Sequence, residues 1–371
     1  MNLSIEVHQS IHEFEQLKTD WNNLIGASEE RTFFLSWQWL YTWWSHFSHQ
    51  GTLHLLVLKD ANFQICGIAP FYIKHGSSFS SLRVLTFLGS APISSDFLDI
   101  ICLPSHKELV AKELANYFFQ NASQWDSIKL CDTLESSICA TLLERDLLNR
   151  DFKASAASIQ TCPYLTLPAT TDELLSTLSS RLKNTIKRKL KKAEKADIVF
   201  STQTSGDEIE PQMHALFELH QKRWQSQDHL GSFAKADIRA FHLDSASTNI
   251  PNDNLILFTL KQSGYTIATL YAFKHNEKIY YYQSGFDPDY SEFSPGTILM
   301  WKAIEHSISN GLRCFDFLRG DEGYKSLWTT TQRITKSTYF YRPFAIKMTL
   351  WLLCFNLKSR AKQALKSLIS R

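Results

Sequence analysis

Residues 294–325 read SPGTILMWKAIEHSISNGLRCFDFLRGDEGYK, and the order of elements in this stretch decides the fold. Ser294 is a candidate N-cap, Pro295 suits the first helical position, and Gly296 lets a ligand come close to the backbone. Met300, Ala303, Ile304 and Ile308 recur at helical spacing as one buried stripe, and Asn310-Gly311 supplies a left-handed stop. The spacing predicts one helix of about four turns. The apolar run Cys314–Leu318 carries a single carboxylate, Asp316, and predicts a short strand. Arg319 to Lys325 then crowds five ionisable side chains and two glycines at the strand's end, which marks a candidate site. Upstream, Lys278–Phe286 (KIYYYQSGF) predicts a strand, and Asp287-Pro288-Asp289-Tyr290 is a loop into the helix. A strand running through a loop into a helix start presents unpaired N–H groups and a partial positive charge to an anion, with Ser294, Gly296 and Thr297 as its lining.

The same order of elements occurs earlier in the chain. Leu53–Lys59 and Gln64–Ile73 predict a hairpin turning at Asp60-Ala61-Asn62, and Leu255–Leu260 and Tyr265–Lys274 predict another turning at Gln262-Ser263-Gly264. RVLTFLG (83–89), the loop SAPISSDFLDI, a helix near His106–Phe119 and the strand WDSIKL (125–130) repeat the strand, loop, helix, strand order of 278–318. The expected fold class is α/β (α+β): two tandem lobes, each a mixed, mostly antiparallel twisted sheet flanked by helices. The first lobe is placed at 1–168, the second at 169–340 with a basic helix over 171–196, and an amphipathic basic tail at 341–371. The aromatic-rich segment from Phe33 to Trp44 reads as core packing.

With 39 basic and 37 acidic residues in 371, the net charge of +2 argues against a globally nucleic-acid-like surface, so any polyanion site is local. One basic patch stands out. Thr170-Thr-Asp-Glu173 is a capping box, and the helix it opens carries Leu174, Leu178, Leu182, Ile186 and Leu190 on one stripe. Its other faces hold Arg181, Lys183, Lys187, Arg188, Lys189, Lys191, Lys192 and Lys195, either a solvated face or a footprint for a nucleotide phosphate, tRNA or an anionic surface. The seven scattered cysteines have no metal-ligand spacing and read as reduced core residues, so no metal is expected. The charged N-terminal stretch lacks a signal-peptide core, from which a cytoplasmic location is expected. Ala345–Leu357, followed by Lys358, Arg360, Lys362, Lys366 and Arg371, either lies on an anionic membrane surface at the inner face or packs on the second lobe. No hydrolase elbow, phosphate-binding lysine loop or dinucleotide fingerprint is present.

Tyr282-Gln-Ser-Gly-Phe-Asp-Pro288, Ser294-Pro-Gly296 and Phe315–Lys325 together resemble the CelD-like acetyltransferases of the GNAT superfamily, named for a proposed role in cellulose biosynthesis. The likeness also takes in Phe34–Trp37, Gly67–Pro70, Leu88-Gly89, Ser95–Asp99 and Arg223-Trp224, so it spans residues 10–330. It implies two GNAT-like lobes in tandem, similar also to the Fem-type aminoacyltransferases that extend peptidoglycan peptides. Acetyl-CoA or another acyl-CoA is then the donor, and an amine on a small molecule, sugar or envelope precursor is the acceptor. Arg223, Trp224, Tyr282 and Gln283 become substrate-binding candidates. The loop 287–295 departs from the paired-glycine pyrophosphate pattern in carrying acids, which repel phosphate unless they point away.

Acyl transfer to an amine needs a base, donors for the developing oxyanion and an acid for the leaving group. Glu322 or Asp316 is the candidate base, Tyr324 the candidate acid, and Arg319 and Lys325 the candidate cations for an anionic group. An ion pair of Arg319 with Asp316 or Glu322 that merely holds the loop is the alternative. Asp96 and Asp99 either bind an acceptor amine across the interlobe cleft or cap their own loop. Two other readings remain open: Fem-like transfer from aminoacyl-tRNA, and a non-catalytic partner in polysaccharide assembly.

Overall fold

Strand-forming runs, punctuated by turns at Asp60 and Ser263, pair in sequence order at the two ends of the sheet, over residues 4–87 and 198–316, and depart from it in the middle. The computed structural model describes residues 3–29, 31–76, 82–203, 206–225, 231–249 and 252–344, together with 347, 348, 350, 351 and 354. In chain order the first half comprises β1 (Ser4–His8), α1 (Ile11–Gln16), α2 (Lys18–Ala27), α3 (Trp37–Phe47), β2 (Gly51–Lys59), β3 (Ile65–Lys74), β4 (Val84–Phe87), β5 (Ile101–Cys102), α4 (Lys107–Gln120), β6 (Ser127–Leu134), α5 (Glu144–Leu148) and β7 (Lys153–Thr166). The second comprises α6 (Thr171–Thr177), α7 (Ser180–Lys195), β8 (Ile198–Gln203), α8 (Ile209–Gln225), α9 (Ala236–Asn249), β9 (Leu255–Gln262), β10 (Tyr265–His275), β11 (Lys278–Phe286), α10 (Pro295–Ser309), β12 (Cys314–Asp316) and β13 (Gln332–Tyr341).

The duplicated order is visible in the pairing. β3 and β4 are antiparallel and β4 and β6 parallel, with α4 between them in sequence. β10 and β11 are antiparallel and β11 and β12 parallel, with α10 between them. The halves are joined by exchanged strands, in the order β6-β13-β7-β12. β13 follows the second module yet pairs with β6 of the first, and β7 follows the first module yet pairs with β12 of the second. The 14 residues of β7, about 46 Å long at the usual strand rise, reach from Lys153, opposite Tyr341, to Thr166, opposite Cys314. One mixed sheet therefore runs through both halves.

The aromatic segment packs between the modules, as its size predicts. Phe33 stacks on Phe273 of β10 at 3.9 Å, and Phe34 meets Tyr280 of β11 edge-on at 5.8 Å. Two helix expectations change. The capping-box helix breaks at Leu178, whose extended backbone lets Ser179 start α7 by accepting the Leu182 N–H at 3.2 Å. Ser294 does not cap α10 with its side chain: it adopts φ 54°, left-handed, to turn the preceding 3-10 segment into the helix. The helix still starts at Pro295. The tail's expected basic surface falls outside the described residues from 355 onward, and no helix among the described residues is long and apolar enough to cross a membrane.

Candidate active site

β11 and β12 stay paired for only three residues, Lys278–Tyr280 against Cys314–Asp316. Beyond Tyr280 they part, and β11 continues to Phe286 with β10 alone as its partner. The gap so opened is a cavity of about 300 Å³, walled by the end of β11, the first turns of α10, Arg223 of α8 and the 324–328 turn.

A bulge decides which side chains face it. The register with β10 slips between Tyr271↔Gln283 and Ala272↔Tyr281, leaving Tyr282 as the extra residue. In a regular strand Tyr281 and Ser284 point to opposite faces, because they are three residues apart. Here both line the cavity, and their hydroxyls meet at 2.6 Å. The Tyr324 hydroxyl donates to the Tyr281 hydroxyl at 3.2 Å. Burial raises the Tyr324 phenol above the ordinary tyrosine value, with Tyr281 adding to the rise, so it holds its proton at neutral pH. The three hydroxyls form a chain on an otherwise mostly apolar wall that includes Leu270, Phe286, Leu299, Met300 and Trp328.

At the cavity's other end α10 begins. The Ser294 carbonyl takes the N–H groups of Thr297 and Ile298, which leaves Gly296 as the amide with no acceptor among the described residues. Gly296, Thr297 and Ser294 all line the cavity, and a Cβ on Gly296 would stand 3.7 Å from Phe286, an ordinary contact. Arg223 supplies a positive charge and lies over the Phe286 ring at 5.0 Å. The acids of the loop are each paired: Lys222 holds Asp287 at 2.6 Å and Asp289 at 2.7 Å, and Lys192 holds Glu292 at 2.6 Å. The repulsion expected for an anion at this helix start is thus offset by lysines from α7 and α8.

Several residues singled out from the sequence lie elsewhere. Asp316 is fully buried, with one carboxylate oxygen accepting the Leu318 N–H at 2.9 Å and the other bound to Arg333 at 2.6 Å. It faces away from the cavity because strand alternation turns it toward β13. Burial raises its carboxyl to about 6, against the opposing pull of Arg333. Arg319 binds Asp96 at 2.6 Å and Asp132 at 2.9 Å and donates to the Ser95 carbonyl, so its guanidinium is consumed in tying the two strand ends together. Its partners come from the other module, not from Asp316 or Glu322.

Lys325 is buried and clips its own loop, to the Arg319 carbonyl at 2.7 Å and to Glu322 at 2.8 Å. Glu322 stays half-exposed and is close enough to Tyr324 to act on its phenol. Asp99 accepts the Ile138 and Cys139 N–H groups at 3.1 Å each, which is capping. Tyr282 and Gln283 are turned by the bulge to the α8 and α9 side, where Tyr282 packs against His242 and Gln283 reaches Ser232. Trp224 donates to His220 at 2.9 Å. Of the residues singled out from the sequence, Tyr324, Ser294, Gly296, Thr297 and Arg223 share the cavity, joined by Tyr281, Ser284 and Trp328, of which only Tyr281, within the run of three tyrosines, carries a local sequence signal.

Gly285 has a separate task. A Cβ there would lie 2.3 Å from the His220 nitrogen, so its absence lets α8 cross β11 closely enough to bring Arg223 to the cavity.

This arrangement defines a tandem α/β protein with a splayed parallel strand pair and a helix start at one cleft. Residues 180–326 match the model of the acetyltransferase (GNAT) domain family. Among solved structures the chain is similar to FemX, with a TM-score of 0.63 at 12% identity over 95% of this chain and 99% of that one. It is similar to a conserved protein of unknown function from Bacteroides thetaiotaomicron, with a TM-score of 0.57 at 11% identity over 91% and 100% of the two chains. The C-terminal domain assigned to a lysylphosphatidylglycerol synthetase of Agrobacterium fabrum gives 0.54 at 9% identity over 92% and 95%. At these identities the likeness is one of fold. No curated protein matches the chain in sequence.

Proposed function

We propose that this protein is an N-acyltransferase that moves an acyl group from an acyl-CoA to an amine by direct transfer. The observation that carries the reading is the cavity at the β11/β12 splay, with a tyrosine hydroxyl chain at one end and the open Gly296 amide beside Arg223 at the other. An acyl-CoA fits these residues: the helix start and Arg223 would hold its diphosphate, and the unpaired backbone edge of β11 would bond its amide-bearing arm. The acyl carbon then lies toward Tyr324. As the amine nitrogen bonds to that carbon, the carbon–sulfur bond breaks, the departing thiolate takes a proton from Tyr324, and the amine gives up one.

No carboxylate or imidazole lines the cavity among the described residues. The amine's proton passes to solvent or to Glu322, which Lys325 holds at 2.8 Å. An acetyl donor, a CelD-like role with a sugar or envelope amine as acceptor, and a cytoplasmic setting with the basic tail on the inner membrane face belong to the same proposal.

A second reading, transfer from aminoacyl-tRNA, is favoured by the position of α7: Lys189 and Lys192 meet the loop at the cavity mouth, and the helix's exposed cations continue outward from there. Titration of the purified protein with acyl-CoAs, followed by thiol release in the presence of mixed amines, tests the first reading. Tyr324→Phe is expected to bind donor as well as wild type and to lose about 10²-fold in turnover. Absence of both binding and thiol release sinks the CoA reading, and salt-sensitive binding of aminoacyl-tRNA selects the second.

A further inference from the structure

The first half holds a larger cavity that the acyl-transfer site does not use, about 560 Å³. It lies on the sheet face opposite α4. Phe71 and Phe87 stack together on the α4 side, and Phe71 meets Phe118 there, so alternation turns Lys74, Val84 and Thr86 the other way. Lys129 of β6 and Tyr339 of β13 complete the floor, with Leu82 and Trp351 on the walls. The Lys129 ammonium sits 5.5 Å from the centre of the Tyr339 ring, and Trp351 packs on Tyr339 at 5.2 Å.

Lys74 and Lys129 are both partly buried, and neither meets a carboxylate among the described residues. Burial lowers the Lys74 ammonium's affinity for its proton, and the charge of Lys129 lowers it further. The chain segments that follow Gly76 and Phe344 in sequence, 77–81 and 345–371, contain no Asp or Glu. His49 and His75 add only basic groups, His75 being bonded to Thr52 at 3.0 Å. Two neighbouring ammonium groups, part-desolvated without an anion, are costly unless one arrives from outside.

We propose that this cavity binds a phosphate monoester carrying an apolar group. The two lysines match the near-double charge of such a phosphate at neutral pH. Leu82, Val84, Tyr339 and Trp351 receive its apolar part. The site is independent of the acyl-transfer reading, since no residue is shared between the two cavities.

Calorimetric titration of the full-length protein with hexyl phosphate and with inorganic phosphate tests this, alongside flotation on phosphatidylcholine vesicles with and without phosphatidic acid. Hexyl phosphate is expected to bind one-to-one and more tightly than inorganic phosphate. Lys74→Gln and Lys129→Gln should each weaken it about tenfold, Lys129→Arg should retain it, and Arg223→Gln should leave it unchanged. Phosphatidic-acid-dependent flotation lost in the double glutamine variant assigns the phosphate to a lipid; soluble binding alone assigns it to a free ester. Equal behaviour of wild type and the double variant toward all three probes overturns the proposal. So does a fall in the ligand-free melting temperature of the double variant, because removing two neighbouring ammoniums that meet no carboxylate should raise it or leave it unchanged.

Discussion

Replacing Arg319 by methionine removes one guanidinium from a junction built by three chain segments. In the folded protein its nitrogens serve Asp96, Asp132 and the Ser95 carbonyl, and Asp96 is only 2% exposed. Methionine keeps much of the packing volume but leaves the Asp96 carboxylate buried without its cation. Breaking one partner of a buried pair costs about 3–5 kcal/mol. The unfolding entropy of a chain of 371 residues, about 2 cal/mol/K per residue, turns that into a fall of roughly 4–6 °C in melting temperature if unfolding is one transition.

Asp96→Asn in the same background should recover part of the loss, since an amide is cheaper to bury than an unpaired carboxylate. Fluorescence-monitored thermal and urea unfolding measures both effects, and donor titration by calorimetry runs in parallel. Acyl-CoA affinity should change little at temperatures well below the transition. An Arg319→Met protein of unaltered stability that binds acyl-CoA many-fold more weakly refutes the strut and returns Arg319 to the donor site.

Asp316→Asn tests a second buried carboxyl by pH. Its folded value of about 6 exceeds the ordinary 3.8, so the folded state binds the extra proton between these values, and wild-type stability from this group is fullest below pH 3.8 and lost as pH rises through 6. The stability of wild type relative to the variant should therefore fall by about 1–3 kcal/mol between pH 4 and pH 7; a difference that rises with pH contradicts the assignment. Gly285→Ala forces α8 off β11 and should cost about 2–3 kcal/mol while weakening donor binding through displaced Arg223, whereas Gly296→Ala should leave unfolding nearly unchanged. Lys222→Glu releases Asp287 and Asp289 beside the helix start and should weaken acyl-CoA binding several-fold in a salt-sensitive way. A short thioester without phosphates should be turned over as before, and equal losses for both donors would place Lys222 elsewhere in the reaction.

Local pattern carried much of the fold into view from the sequence. The helix over 295–309, the two hairpins and the repeated strand, loop, helix, strand order follow from spacing and turn chemistry that act within a few residues. The helix start at Pro295 was legible for the same reason, although Ser294 serves it by backbone conformation and not by a side-chain cap.

Only the tertiary structure decided what the charged residues do. Arg319, Asp316 and Asp96 look like site residues in sequence, yet their partners lie far along the chain: Arg319 joins Asp96 and Asp132 of β6, and Asp316 meets Arg333 of the exchanged strand β13. No local signal encodes such a pairing. The cavity's own hydroxyls depend on a single-residue slip in the β10–β11 register, which turns Tyr281 and Ser284 to one face and Tyr282 to the other. Sequence periodicity determined the elements, because helices and strands repeat at fixed intervals. Strand exchange and register determined the site, because they depend on which surfaces meet after those elements have formed.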